Sequence, residues 1–187
     1  MCLDKKQKDS KEILSLIKQA IDNVEEKFYQ VEHMKQNGTI GKQYRERVWC
    51  YEFYHRLRET NLPDDKLIIN GEIDKSGNDN FIDKINPDFI IHEQGSNDNN
   101  LCVIEVKLRL DYEGINKDFC SLTEMLNQHN YKQAVFILIN HTFEELKKEF
   151  ENKTLKKCFN DNIIILCKKS SKDSIKKYTL KELRIEE

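Results

Sequence analysis

Residues 134–139 read Ala, Val, Phe, Ile, Leu, Ile, an unbroken apolar run in a chain whose hydrophobic content is only 38%. The run has strand length and no polar alternation, so it predicts a central strand covered on both faces. Covers are available on either side of it in the chain. Ile115, Phe119, Leu122 and Leu126 recur at helical spacing before the run. After it, Thr142 followed by Glu145 is a capping-box pattern that opens another helix. Residues 162–167 then supply a last buried strand.

Upstream, apolar side chains at 13, 14, 17, 21, 24, 28 and 31 mark one face of a helix over residues 10–36, with Gly38 and Gly41 at its end. A second helix is expected over 42–60, where Tyr44, Val48, Trp49, Tyr51, Phe53 and Leu57 suit core packing. A strand follows from 67 to 73, then a polar turn around Ser76, Gly77 and Asn78. Two more strands, 87–92 and 101–108, are separated by a Gly, Ser, Asn and Asp cluster over 93–100. The order helix, helix, three strands, helix, strand, helix, strand implies an α/β fold with a mixed central sheet flanked by helices.

The charges inside those strands are the candidate functional residues. Pro87 and Asp88 open one strand, and Glu105 and Lys107 alternate within the next, so both project from one face. An antiparallel pairing brings the start of the first strand to the end of the second. An acid followed two positions later by lysine is common here, because 34% of residues are charged. It occurs at Asp4, Asp9, Glu25, Asp64, Glu105, Glu145 and Glu151. Only Glu105 and Lys107 interrupt a run that is otherwise a buried strand. Two charges there cost several kcal/mol unless they are paired, hydrated or metal-bound. An internal ion pair on a wet edge strand is the plain alternative.

The formal net charge of −2 argues against a strongly basic nucleic-acid coat protein, while 31 Lys and Arg leave material for a local basic groove. At 187 residues one domain is expected, burying about two-thirds of its unfolded surface. Six cysteines, at 2, 50, 102, 120, 158 and 167, form neither a CxxC pair nor a zinc-like spacing. Buried thiols in a reducing compartment are expected. No signal-peptide stretch opens the sequence and no apolar run reaches membrane length, so the expectation is a soluble cytoplasmic protein.

The order αβββαβ, with Pro87 and Asp88 on the second strand and Glu105, Val106 and Lys107 on the third, resembles the PD-(D/E)XK nuclease superfamily. This is the restriction-endonuclease-like fold, and the phrases 71–75 and 100–107 are similar to a prokaryotic or phage branch of it. The resemblance covers roughly residues 43–168 as the core, leaving 10–42 as an N-terminal helical extension and 169–187 as a lysine-rich tail. It implies that Asp88 and Glu105 bind Mg2+ (or Mn2+), with the Val106 carbonyl as a further ligand. Lys107 would stabilise charge on the scissile phosphate or position the attacking water. A further glutamate from the first core helix is implied; Glu52 and Glu46 are candidates, with Glu52 slightly favoured. The family's Gln-x-x-x-Tyr motif is not met, because Gln128 and Tyr131 stand one position too close.

The residue types suit that chemistry, since magnesium takes hard oxygen ligands and needs only one or two carboxylates beside its waters. His92 shares a strand face with Asp88 but lies about 13 Å along it, too far to share an ion. Lys117 could meet a phosphate, although an ordinary surface lysine is the better reading. The expected function is therefore a metal-dependent nuclease acting on DNA, in restriction, repair or phage conflict, with a homodimer left open. The alternative is an inactive nuclease-like fold serving as a nucleic-acid-binding or regulatory module.

Overall fold

The computed structural model describes residues 2–71, 86–96, 99–151 and 159–184. Helices α1 (Cys2–Asp22) and α2 (Glu26–Tyr29) lead into a hairpin of β1 (Val31–Met34) and β2 (Ile40–Gln43). Then come α3 (Glu46–Arg58), β3 (Leu67–Gly71), β4 (Phe89–Glu93), β5 (Asn100–Lys107) and α4 (Tyr112–Asn127). The chain ends with β6 (Gln133–Ile139), α5 (Phe143–Phe150), β7 (Ile164–Lys168), β8 (Lys176–Thr179) and α6 (Leu180–Leu183).

Strands β3 to β8 form one six-stranded sheet in sequence order. β3, β4 and β5 pair antiparallel in succession, as their turn clusters require. β5, β6 and β7 pair parallel, each step crossing through a helix, and β8 closes the sheet antiparallel to β7. Every residue of β6 is buried, so the apolar run is the covered central strand its composition demands.

Alternation along the strands sorts side chains into two cores. On one face Ile104, Val106, Val135 and Ile137 meet Ile13, Ile17 and Ile21 of α1 and Trp49, Phe53 and Leu57 of α3. On the other, Val103, Phe136 and Leu138 meet Phe119 and Leu122 of α4 and Leu146 and Phe150 of α5. Trp49 stacks on Phe53 with ring centroids 5.3 Å apart. The end of α1 is tied to the sheet by Asp22, which pairs with the buried ammonium of Lys168 on β7. The capping box of α5 forms as read: Glu145 N–H donates to Thr142 Oγ1 at 3.2 Å, and Thr142 N–H donates to Glu145 Oε2 at 2.7 Å.

Two regions differ from expectation. The helix expected over 10–36 stops at Asp22, and residues 31–43 turn back as the β1–β2 hairpin instead. The turn is closed by Gly38 N–H to Lys35 O at 2.9 Å and Lys35 N–H to Thr39 O at 2.8 Å. Gly38 supplies a left-handed φ of +78°, which a side chain would resist. Within the lysine-rich stretch after 168, residues 176–179 are an edge strand. Exposed Lys176 and Lys177 keep that edge from pairing with another chain, and Tyr178 stacks on Phe143 at 3.9 Å.

The expected continuation of β3 to residue 73, the turn at 76–78 and the phrase 72–75 lie outside the described residues. Cys50, Cys102 and Cys167 are buried and Cys120 is half-buried, and burial pushes the Cys167 thiol up to about 12. No helix among the described residues is long and apolar enough to cross a membrane.

Candidate active site at the open end of the sheet

β5 outruns β4. The last paired positions are Phe89 and Ile104, so residues 105–107 project past the start of β4 while β6 still pairs them on the other side. Among the described residues no strand pairs with that edge past Ile104, and its backbone needs other partners. It finds two carboxylates. Asp88, the residue just before β4, accepts a hydrogen bond from Val106 N–H at 2.7 Å through Oδ2. Glu46, at the start of α3, accepts from Leu108 N–H at 3.1 Å through Oε2. A strand residue directs its N–H and its C=O to the same edge, so the Val106 carbonyl faces the side that Asp88 occupies.

The strand's alternation turns Glu105 and Lys107 toward α4. Glu105, 6% exposed, accepts a 2.8 Å hydrogen bond from Ser121 Oγ. Lys107 Nζ lies 3.1 Å from Asp118 Oδ2, one turn earlier on α4, and 3.9 Å from Glu46 Oε1. The Asp88 carboxyl lies beside that of Glu105, as positions one step beyond the Phe89–Ile104 pair predict. Among the described residues, Glu46, Asp88, Glu105 and Asp118 thus gather around one ammonium, that of Lys107.

That imbalance controls their ionisation. Burial pushes Glu105 well above the usual carboxylate range, and the charges of Asp118 and Asp88 push it further. Burial also raises Asp88, against the pull of the Val106 N–H, with Glu46 adding to the rise. Asp118 reaches about 7, chiefly through burial, with Lys107 only partly offsetting it. Burial works against the Lys107 ammonium, but Asp118, Glu46 and Asp88 outweigh it and raise Lys107 above its ordinary value. Such a cluster retains protons at neutral pH unless another cation replaces them.

The donor set suits a hard divalent ion: two neighbouring acids, and a backbone carbonyl on the side that Asp88 occupies. Among the described residues, no group of three or more His, Cys, Asp or Glu side chains is arranged as a metal cage. Asp88 Oδ2 and Glu105 Oε1 are instead turned to the Val106 N–H and to Ser121.

Asp88, Glu105, Val106 and Lys107 therefore come together, and of the two helix glutamates Glu46 joins them. Glu52 does not: its Oε1 accepts from Arg56 Nε at 2.7 Å, and Arg56 also reaches Glu25 and Glu59. His92 is hydrogen-bonded to Asn70 Oδ1 at 3.0 Å across β3 and β4, a structural contact. Lys117 is exposed on α4, and Tyr131 is buried in the second core. Asp118 and Ser121 were missed in the sequence. The available signal was position, since both fall between Ile115 and Leu122 on the buried side of an amphipathic helix.

No family model, curated protein or solved structure matches this chain.

Proposed function

We propose that the chain is a divalent-metal-dependent nuclease that hydrolyses phosphodiester bonds, with DNA as the substrate, in restriction, repair or phage conflict. The observation that carries this reading is the convergence of Asp88, Glu105 and Lys107 at the end of β5, where Asp88 meets the Val106 backbone. Asp88, Glu105 and the Val106 carbonyl would hold Mg2+ or Mn2+. The ion, when bound, polarises the phosphoryl group and lowers the pKa of water.

The remaining work belongs to the chain. Burial and the neighbouring acids disfavour the charged forms of Asp88 and Glu105, and a bound ion would favour both as carboxylates. Lys107 holds a fixed positive charge where the phosphate becomes more negative, a preorganised contribution that needs no reorientation during the step. Asp118 acts through Lys107 as a positioning residue, and Ser121 orients the Glu105 carboxyl. One observation favours a second reading, a binding or regulatory module without catalysis: Lys107 and Glu105 already have partners on α4.

The test is to incubate the protein with duplex DNA, single-stranded DNA and RNA, with Mg2+, Mn2+ or EDTA, beside Glu105→Ala. Cleavage that requires the divalent ion and disappears in the variant supports the nuclease. Binding without cleavage by correctly folded protein selects the second reading, and activity that survives in Glu105→Ala removes this site from the chemistry.

A further inference from the structure

We propose that the outer face of α3 is a platform for a single-stranded nucleic acid, leading it past Glu46 to Asp88. The inference deepens the nuclease reading and rests on it for what happens at the acid cluster, but binding itself needs no cleavage. Arg47, Tyr51, Tyr54 and Arg58 recur at i, i+4, i+7 and i+11, so they form one stripe along the helix, about 16 Å from end to end. No acid falls on that stripe; Glu52 and Glu59 lie on a neighbouring one with Arg56.

Tyr51 is 62% exposed, so its ring stands open to solvent on this stripe. Arg58 lies over the Tyr54 ring, 5.9 Å from its centroid, and Tyr54 stacks on Phe89, the neighbour of Asp88. Two clefts meet along this helix and share Glu46, Arg47 and Tyr51. One, of about 400 Å³, runs between Tyr54 and Asp88. The other, of about 750 Å³, adds Arg45 and Arg109 beside Leu108.

Guanidinium groups flanking the open Tyr51 ring match a strand whose phosphates and unstacked bases are both available. A duplex keeps its bases stacked and gives the Tyr51 ring nothing to cover. The charge complementarity is local, because the whole chain has a net charge of −2.

The experiment measures fluorescence anisotropy of labelled oligo(dT), and of its duplex with oligo(dA), in EDTA so that cleavage plays no part. Wild-type protein is expected to favour the single strand. Tyr51→Ala should weaken that binding by about tenfold or more, while Tyr51→Phe, which keeps the ring, should hold it. Arg47→Gln should flatten the salt dependence by roughly 0.7 in log–log slope. Because Tyr51 and Arg47 are exposed, unchanged thermal melts will verify that each variant is folded.

Binding by Tyr51→Ala equal to wild type, a preference for duplex, or no binding by wild type would each overturn the platform. The two readings fail separately. Cleavage with an unchanged KM in Tyr51→Ala removes the platform and leaves the nuclease. Single-strand binding that depends on Tyr51, with no cleavage in Mg2+, does the reverse.

Discussion

Asp88 caps the edge of β5 beyond its last pairing with β4 by accepting a 2.7 Å hydrogen bond from Val106 N–H, and its carboxyl sits beside Glu105. One side chain thus finishes a sheet and builds a charged site, and the two roles separate by substitution. Asp88→Ala leaves the Val106 N–H without a partner and should cost about 1–3 kcal/mol in urea unfolding. Asp88→Asn keeps an acceptor and removes a repelling charge, so in metal-free buffer at neutral pH it should be at least as stable as wild type. Both variants should lose cleavage by a hundredfold or more. Equal stability of the two variants would show that the hydrogen bond contributes nothing.

The acid cluster predicts an inverted pH dependence. Asp118 is raised from 3.8 to about 7, and Asp88 and Glu105 are raised as well, so the folded state binds more protons than the unfolded chain. Stability then falls as pH rises from about 4 toward 7, by up to about 1.4 kcal/mol per pH unit for each retained proton. Below that window folded and unfolded forms are both protonated, and above it the Asp118 share of the loss is complete. Metal-free thermal melts across this range should show the decline. Asp118→Asn should flatten it, and Mg2+ should oppose it by binding the folded form. A wild-type profile indistinguishable from that of Asp118→Asn sinks the assignment.

Lys168 on β7 is 3% exposed and its ammonium pairs with Asp22 at the end of α1. Asp22→Ala leaves that ammonium buried and alone, which should cost about 3 kcal/mol. Replacing both, as Asp22→Ala with Lys168→Met, should recover most of the loss. A single variant within about 0.5 kcal/mol of wild type would mean that Lys168 reaches water by itself.

How much could be read in advance followed from where each residue stood. Asp88, Glu105 and Lys107 were legible because a strand has a period of two, and charges at alternate positions in an apolar run have one place to point. The capping box at Thr142 was legible because its two hydrogen bonds join residues three apart. The β1–β2 hairpin was not. Phe28 and Val31 continue the helical spacing of α1, and nothing local tells a chain end of one helix from a turn. Asp118 was hidden for a different reason, since an acid on a helix usually faces water and only the packing of α4 on β5 turns this one toward Lys107.

Glu46 and Glu52 make the last prediction, and helix geometry already distinguishes them. Glu46 recurs with Cys50, Phe53 and Leu57 at i, i+4, i+7 and i+11, the buried face of α3, whereas Glu52 shares a stripe with Arg56 and Glu59. Position on the buried face carries Glu46 to the Leu108 N–H at 3.1 Å and to within 3.9 Å of Lys107 Nζ. Glu46→Gln keeps an acceptor for Leu108 but removes a charge that helps hold the Lys107 ammonium and any bound cation. It should therefore weaken Mn2+ binding, read by calorimetry, and lower divalent-dependent cleavage by about tenfold. Glu52→Gln weakens only a partly buried pair with Arg56, away from the acid cluster, and should leave cleavage and metal affinity unchanged. The opposite ranking, with Glu52→Gln inactive and Glu46→Gln like wild type, would remove Glu46 from the site.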